Sequence, residues 1–199
     1  MFQHLASWGF IVIGNDDSST GFGLSADETI DYLIKINENQ NHILHHHIDL
    51  KHIGLTGHSQ GGAGVLTAIS HTKHQQIYKT AIALSPTHEK MAHDLGWFYD
   101  LTQISIPLFM IAGTEGDFET KAIIPLEAMQ QMYDKIPSPK VMMRRKEADH
   151  GEMLYSADGY VTAWLMWQLQ DDIYASQAFL GNNAEIYHND LYQDVHYDE

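Results

Sequence analysis

Apolar residues fall along this chain in short runs of strand character, separated by stretches where they recur at helical spacing. Phe10–Ile13 (FIVI) is the first run. It ends in Gly14-Asn15-Asp16-Asp17 and predicts a buried strand followed by a loop. Ser25 then reads as an N-cap, with Glu28 three residues on completing a capping box. Ile30, Leu33, Ile34 and Ile36 follow at the spacing of a helix over Ala26–Asn39. His52–Leu55 predicts a second strand, Thr56–Gly61 a tight turn and Ala63–Ser70 a helix. Thr80–Leu84 and Pro107–Ala112 predict two more strands. Lys121–Ile136 reads as a helix kinked or delayed at its start by Pro125. Lys140–Arg144 is a fifth strand, and Tyr160–Gln170 a final amphipathic helix. Strands alternating with helices imply an α/β domain, a mainly parallel sheet flanked by helices. No repeat or linker divides the chain, so residues 1–199 read as one domain. Its polar tail, 181–199, keeps Ile186, Tyr187, Leu191, Tyr192 and Val195 and is expected to dock on the body.

Charge and composition narrow the function. Twenty-six acidic residues against 11 basic ones give a formal net charge of -15. Such a surface repels phosphate backbones, which argues against nucleic-acid binding. The absence of cysteine excludes disulfides, thiolate metal sites and a cysteine nucleophile. No apolar stretch is long enough for a membrane span. The start of the chain has no basic region followed by an apolar run, so no signal peptide is expected and the default location is the cytoplasm.

The densest chemical signal is Gly57-His58-Ser59-Gln60-Gly61, a G-x-S-x-G pattern between an apolar strand and a helix opened by small residues. In that context the serine occupies a strained bend, and small neighbours let strand and helix approach closely. The helix N-terminus behind Ser59 suits a developing oxyanion, with the Gln60 N–H as one donor. Serine needs a base, and the base needs an orienting acid. In proteins with this elbow the chain order is Ser, acid, His. Asp117, in the loop after the fourth strand, is the expected acid, with Glu115 and Glu119 as rivals. His150 follows the fifth strand and is the expected base. Asp149 beside it points away, since adjacent side chains diverge, and His188 and His196 lie in the polar tail.

GHSQGG, IPLFMIAGTEGD and ADHGEML occur here in that order, and the combination resembles the α/β-hydrolases. The branch it resembles most holds dienelactone hydrolases, chlorophyllases and cutinase-like polyester hydrolases. LASWGFIV near the start and AWLMWQL near the end resemble the same branch, so the likeness covers nearly the whole chain. It implies a serine esterase acting on a small-molecule or polymer ester through Ser59, Asp117 and His150, by way of an acyl-enzyme and without cofactor. In that family two or three strands and an HG-containing loop, which donates the second oxyanion N–H, precede the LASWGF-like segment. Here Met1 falls just before it, so the resemblance implies an N-terminally shortened α/β-hydrolase domain. The sheet edge thereby exposed favours pairing with a second copy, a homodimer. Hydrolysis of a thioester, lactone or peptide by the same triad, or a non-catalytic binding role, are the alternatives.

Other features weigh less. His42, His45, His46 and His47 cluster, and His42 and His46 at i, i+4 could share a helix face, but a solvated helix end or loop is the preferred reading and no metal site is assigned. Trp97 and Phe98, with Tyr99, lie between two strands, where a substrate wall or plain core is expected; His58 is a further weak candidate for substrate contact. Asp16 and Asp17 suit a turn better than a substrate contact.

Overall fold

The computed structural model describes residues 1–198. Five strands form one sheet in the order β1 (Ile53–His58), β2 (Tyr78–Leu84), β3 (Leu108–Gly113), β4 (Lys140–Arg145), β5 (Tyr192–Asp198). The first four run parallel, and β5 pairs antiparallel on β4. The helices are α1 (Phe2–Ser7), α2 (Leu24–Glu38), α3 (Gln60–His71), α4 (Glu89–Asp94), α5 (Leu126–Lys135), α6 (Asp158–Gln170) and α7 (Ile173–Ser176).

Sequential strand order sends each parallel crossover in the same direction. Right-handed crossovers then place their helices on one face of the sheet. Strand residues divide accordingly. Ala81, Ala83, Leu108, Met110 and Met142 bury against helices α2 to α5, while Ile82, Leu84, Phe109, Ile111, Val141 and Met143 bury against α1 and α6. Both faces are covered, which is why β2 and β3 read as continuous apolar runs rather than alternating ones.

The start of the chain departs from its pattern. Phe10–Ile13 was expected as a strand, yet it belongs to no sheet and, among the described residues, makes no backbone hydrogen bond. Phe10 and Val12 pack against the core while Ile11 and Ile13 are exposed. Alternation reports which side of an extended segment is buried; it does not supply a neighbour to pair with. A cleft of about 590 Å³, lined by Phe10, Val12, Ile53, Leu55 and Leu165 among others, lies between this segment and the open edge of β1.

The capping box also fails. A turn of 3₁₀ helix, Thr20–Phe22, feeds straight into α2, and Gly23 at φ 71° is the N-cap. Ser25 sits inside the first turn, buried, with its carbonyl accepting from the Thr29 hydroxyl. Gly64 explains why this entry lies where it does. A Cβ there would stand 2.1 Å from the Thr20 carbonyl oxygen, so the loop before α2 is pressed directly onto α3. The expected helix over 121–136 is split. Its first part is a π-helical turn, Phe118–Ile123, and α5 begins only after Pro125. The histidine cluster lies in turns rather than on a helix, with His46 at φ 57°. Asp17 accepts from the Ser19 N–H, holding a turn.

Candidate active site

β1 runs further than its apolar stretch suggested, through Gly57 and His58, so the bend is confined to Ser59. Ser59 has φ 59° and ψ -119°, a conformation costly for any residue with a Cβ. It is held by the sheet itself: the Ser59 N–H donates to Leu84 O at 2.9 Å, one step past the last β1–β2 pair. Gly57 is required by contact, because a Cβ on it would lie 2.3 Å from Gly61 O in the returning helix. Gln60 opens α3, so its N–H has no partner within the helix. Its side chain reaches away and donates to Ser18 O at 3.2 Å.

His150 lies in the loop after β4, as expected from its place in the sequence. Its Nδ1–H donates to a carboxylate at 2.6 Å, but that carboxylate is Glu119, not Asp117. Asp117 is 82% exposed and forms an i, i+4 ion pair with Lys121 at 2.8 Å. Glu115 lies in the exposed part of the same loop. The reason is the π-helical turn. With one extra residue per turn, it carries the chain from solvent at Asp117 to the interior at Glu119, whose side chain is fully buried. A faint signal was present in the sequence. Asp117 is spaced to pair with Lys121 on a solvated face, whereas Glu119 has no lysine or arginine three or four positions on, where Ala122 and Ile123 stand.

Three donors meet the Glu119 carboxylate. Oε1 accepts from the Ser85 hydroxyl and from Gly113 N–H, each at 2.6 Å, and Oε2 accepts from His150. Burial is the largest single influence and opposes ionisation. The His150, Ser85 and Gly113 bonds together outweigh it and hold the carboxyl below the ordinary glutamate value. Ser85 had no sequence signal beyond its place at a strand end.

His58 has a different place from the substrate contact considered for it. Its Nε2–H donates to the His150 carbonyl oxygen at 2.8 Å, and the two rings lie 4.4 Å apart. The elbow and the His150 loop are thereby tied at the residue next to Ser59. Burial first, then the neighbouring His150 ring, push the pKa of His58 below its ordinary value, favouring a neutral ring. On its other side His150 meets Phe118 edge-on at 5.0 Å, and the Phe118 ring is more than half exposed. Trp97 packs over Gly21 and joins the core on the α3 side. Phe98 is exposed beside His93, 5.3 Å between ring centres, and Tyr99 is buried with its hydroxyl donating to Thr87 O. Among the described residues no group of three or more acidic or histidine side chains is arranged to hold a metal ion.

The elbow, the imidazole and its buried acid therefore come from the C-terminal ends of β1, β3 and β4, the end where parallel α/β sheets gather their sites. Comparison with known proteins gives the family. The family described as PETase, PET hydrolase-like, matches residues 1–195. Cutinase est2 of Thermobifida alba is 27% identical over 142 residues, which cover 69% of this chain and 41% of the cutinase. The aligned part thus spans well under half the length of that curated relative.

Proposed function

Since the chain belongs to the PET hydrolase-like family, we propose that it hydrolyses carboxylic esters, with Ser59 as nucleophile, His150 as base and Glu119 as the acid that orients the base. The observation that carries this reading is the 2.6 Å bond from His150 Nδ1 to a buried carboxylate, in a loop fastened through His58 to the strained Ser59 bend. With Nδ1–H committed to Glu119, Nε2 is left unprotonated and able to accept a proton. The name of the related cutinase supports an ester as the scissile group.

Ser59 Oγ attacks the ester carbonyl as its proton passes to His150 Nε2. The tetrahedral oxyanion forms near the N-terminus of α3, where the Gln60 N–H is a donor. Collapse expels the alcohol, which takes the proton from His150. A water molecule then gives a proton to His150 and attacks the acyl-enzyme, and Ser59 recovers its proton as the carboxylic acid departs. The exposed Phe118 ring beside His150 offers an apolar surface to the acyl or alcohol part of a small or polymeric ester.

Ser59→Ala tests the assignment directly. Labelling by a fluorophosphonate probe and turnover of p-nitrophenyl butyrate are both expected to vanish. Retention of either at the parental rate would remove Ser59 as nucleophile.

A further inference from the structure

Ser85, at the end of β2, is the second strained residue near the site. It is fully buried and has φ +40°, in the left-handed region that favours glycine. Strain of this kind persists only where the surroundings over-determine it, and here they do. The Ser85 N–H donates to Ile111 O at 2.7 Å, Thr87 N–H to Ser59 O at 3.3 Å, and His88 N–H to Ile123 O at 2.9 Å. Residues 85–88 thus bind the nucleophile bend, strand β3 and the π-helical turn that carries Glu119. A glycine would take the same backbone without strain. What serine adds is a hydroxyl, and that hydroxyl is spent on Glu119 Oε1 at 2.6 Å.

We propose that Ser85 is a positioning residue, whose hydroxyl fixes the rotation of the Glu119 carboxylate so that Oε2 faces His150 Nδ1. The proposal rests on the reading of His150 as the base. Glutamate has one more rotatable bond than aspartate, and its terminal torsion is broad. Gly113 N–H alone would anchor Oε1 at a single point and leave the carboxylate free to turn about it. A second donor on the same oxygen removes that freedom. The longer acid and its clamp form one device, and the clamp is bought with a strained backbone at residue 85.

Ser85→Gly separates this role from a structural one, because it relieves the backbone while deleting the hydroxyl. Ser85→Ala deletes the hydroxyl and keeps the strain. Three quantities are read: the thermal midpoint, the pH profile of kcat with p-nitrophenyl butyrate, and the downfield proton resonance of His150 Nδ1–H in the free protein. That resonance is identified by its loss in Glu119→Gln. Ser85→Gly is expected to melt within a few degrees of the parent, with kcat down about tenfold, as for one lost hydrogen bond, and KM little changed. The acidic limb of its profile should be displaced and the Nδ1–H resonance shifted or broadened. Parental kcat, profile and resonance in Ser85→Gly would overturn the proposal. So would failure of both variants to fold, which would assign the hydroxyl to stability alone. The hydrolytic reading fails separately: a parent protein that neither turns over ester nor takes the fluorophosphonate label refutes it. The resonance would still show, in that case, whether Ser85 fixes the imidazole–carboxylate pair.

Discussion

Glu119→Gln and Asp117→Asn, made side by side, decide which carboxylate serves His150. In Glu119→Gln the amide has one acceptor oxygen in place of two. Ser85 and Gly113 both donate to the Oε1 position, so the amide oxygen is held there and the NH₂ group turns toward His150. Two donors cannot face one another. His150 must then present an unprotonated Nδ1 and carry its proton on Nε2, the tautomer that cannot accept from Ser59. In a serine protease the same kind of substitution costs about 10⁴ in kcat, and a loss of ~10³–10⁴ is expected here. The buried bond to a charged acceptor also contributes to folding, so a destabilisation of about 1.5–3 kcal/mol should accompany it. Asp117→Asn removes only an exposed ion pair with Lys121. Pairs of that kind contribute little, and turnover should stay within about twofold of the parent. The assay is p-nitrophenyl butyrate hydrolysis, with the fluorophosphonate labelling rate as a check independent of product release and a urea melt to report folding. A well-folded Glu119→Gln protein with near-parental turnover, or an inactive Asp117→Asn, would refute the reasoning.

Further outcomes follow from packing and titration. Gly64→Ala forces a methyl group toward the Thr20 carbonyl, 2.1 Å away; overpacking of this kind costs about 1–3 kcal/mol, so the thermal midpoint should fall by several degrees, and an unchanged midpoint would mean that the loop before α2 is not pressed on α3. Trp164 is buried, and its Nε1–H donates to Thr80 Oγ1 at 2.7 Å. Trp164→Phe should cost about 2 kcal/mol in a urea melt and more than Trp167→Phe at the half-buried neighbour; the reverse order would contradict the packing. Glu119 and His58 both have pKa values below their ordinary 4.5 and 6.5. For a group so depressed the unfolded chain holds the proton more tightly, and stability present above the unfolded value is lost as pH falls through the folded one. The urea midpoint should therefore drop on acidification, first below about pH 6.5 as His58 is forced to charge and again below about pH 4.5 through Glu119. A midpoint that is level or rising from pH 7 to pH 4 would contradict both assignments.

What the sequence determined by itself was whatever depends on a few consecutive residues. The G-x-S-x-G bend is such a case, because Gly57 is demanded by its contact with the Gly61 carbonyl within the bend. The positions of β1 to β4 are another, since parallel strands buried on both faces must be runs of apolar residues. The placing of His150 just after a strand followed from those boundaries. Tertiary structure decided what depends on groups distant in the chain. Asp117 and Glu119 differ by two positions, and only the π-helical turn determines which of them points inward to His150. Phe10–Ile13 is an apolar run of strand character, but strand pairing requires a neighbour, and across the cleft from β1 it has none. The β5 segment, Tyr192–Asp198, is half polar and reads as tail, yet it finds hydrogen-bonding partners on the free edge of β4. Ser85 is unremarkable in the sequence and acquires its role only where the ends of β2 and β3 and the turn after β3 converge. Local propensity fixes a backbone over a few residues; the direction of a carboxylate and the pairing of an edge are fixed by what the rest of the fold places opposite them.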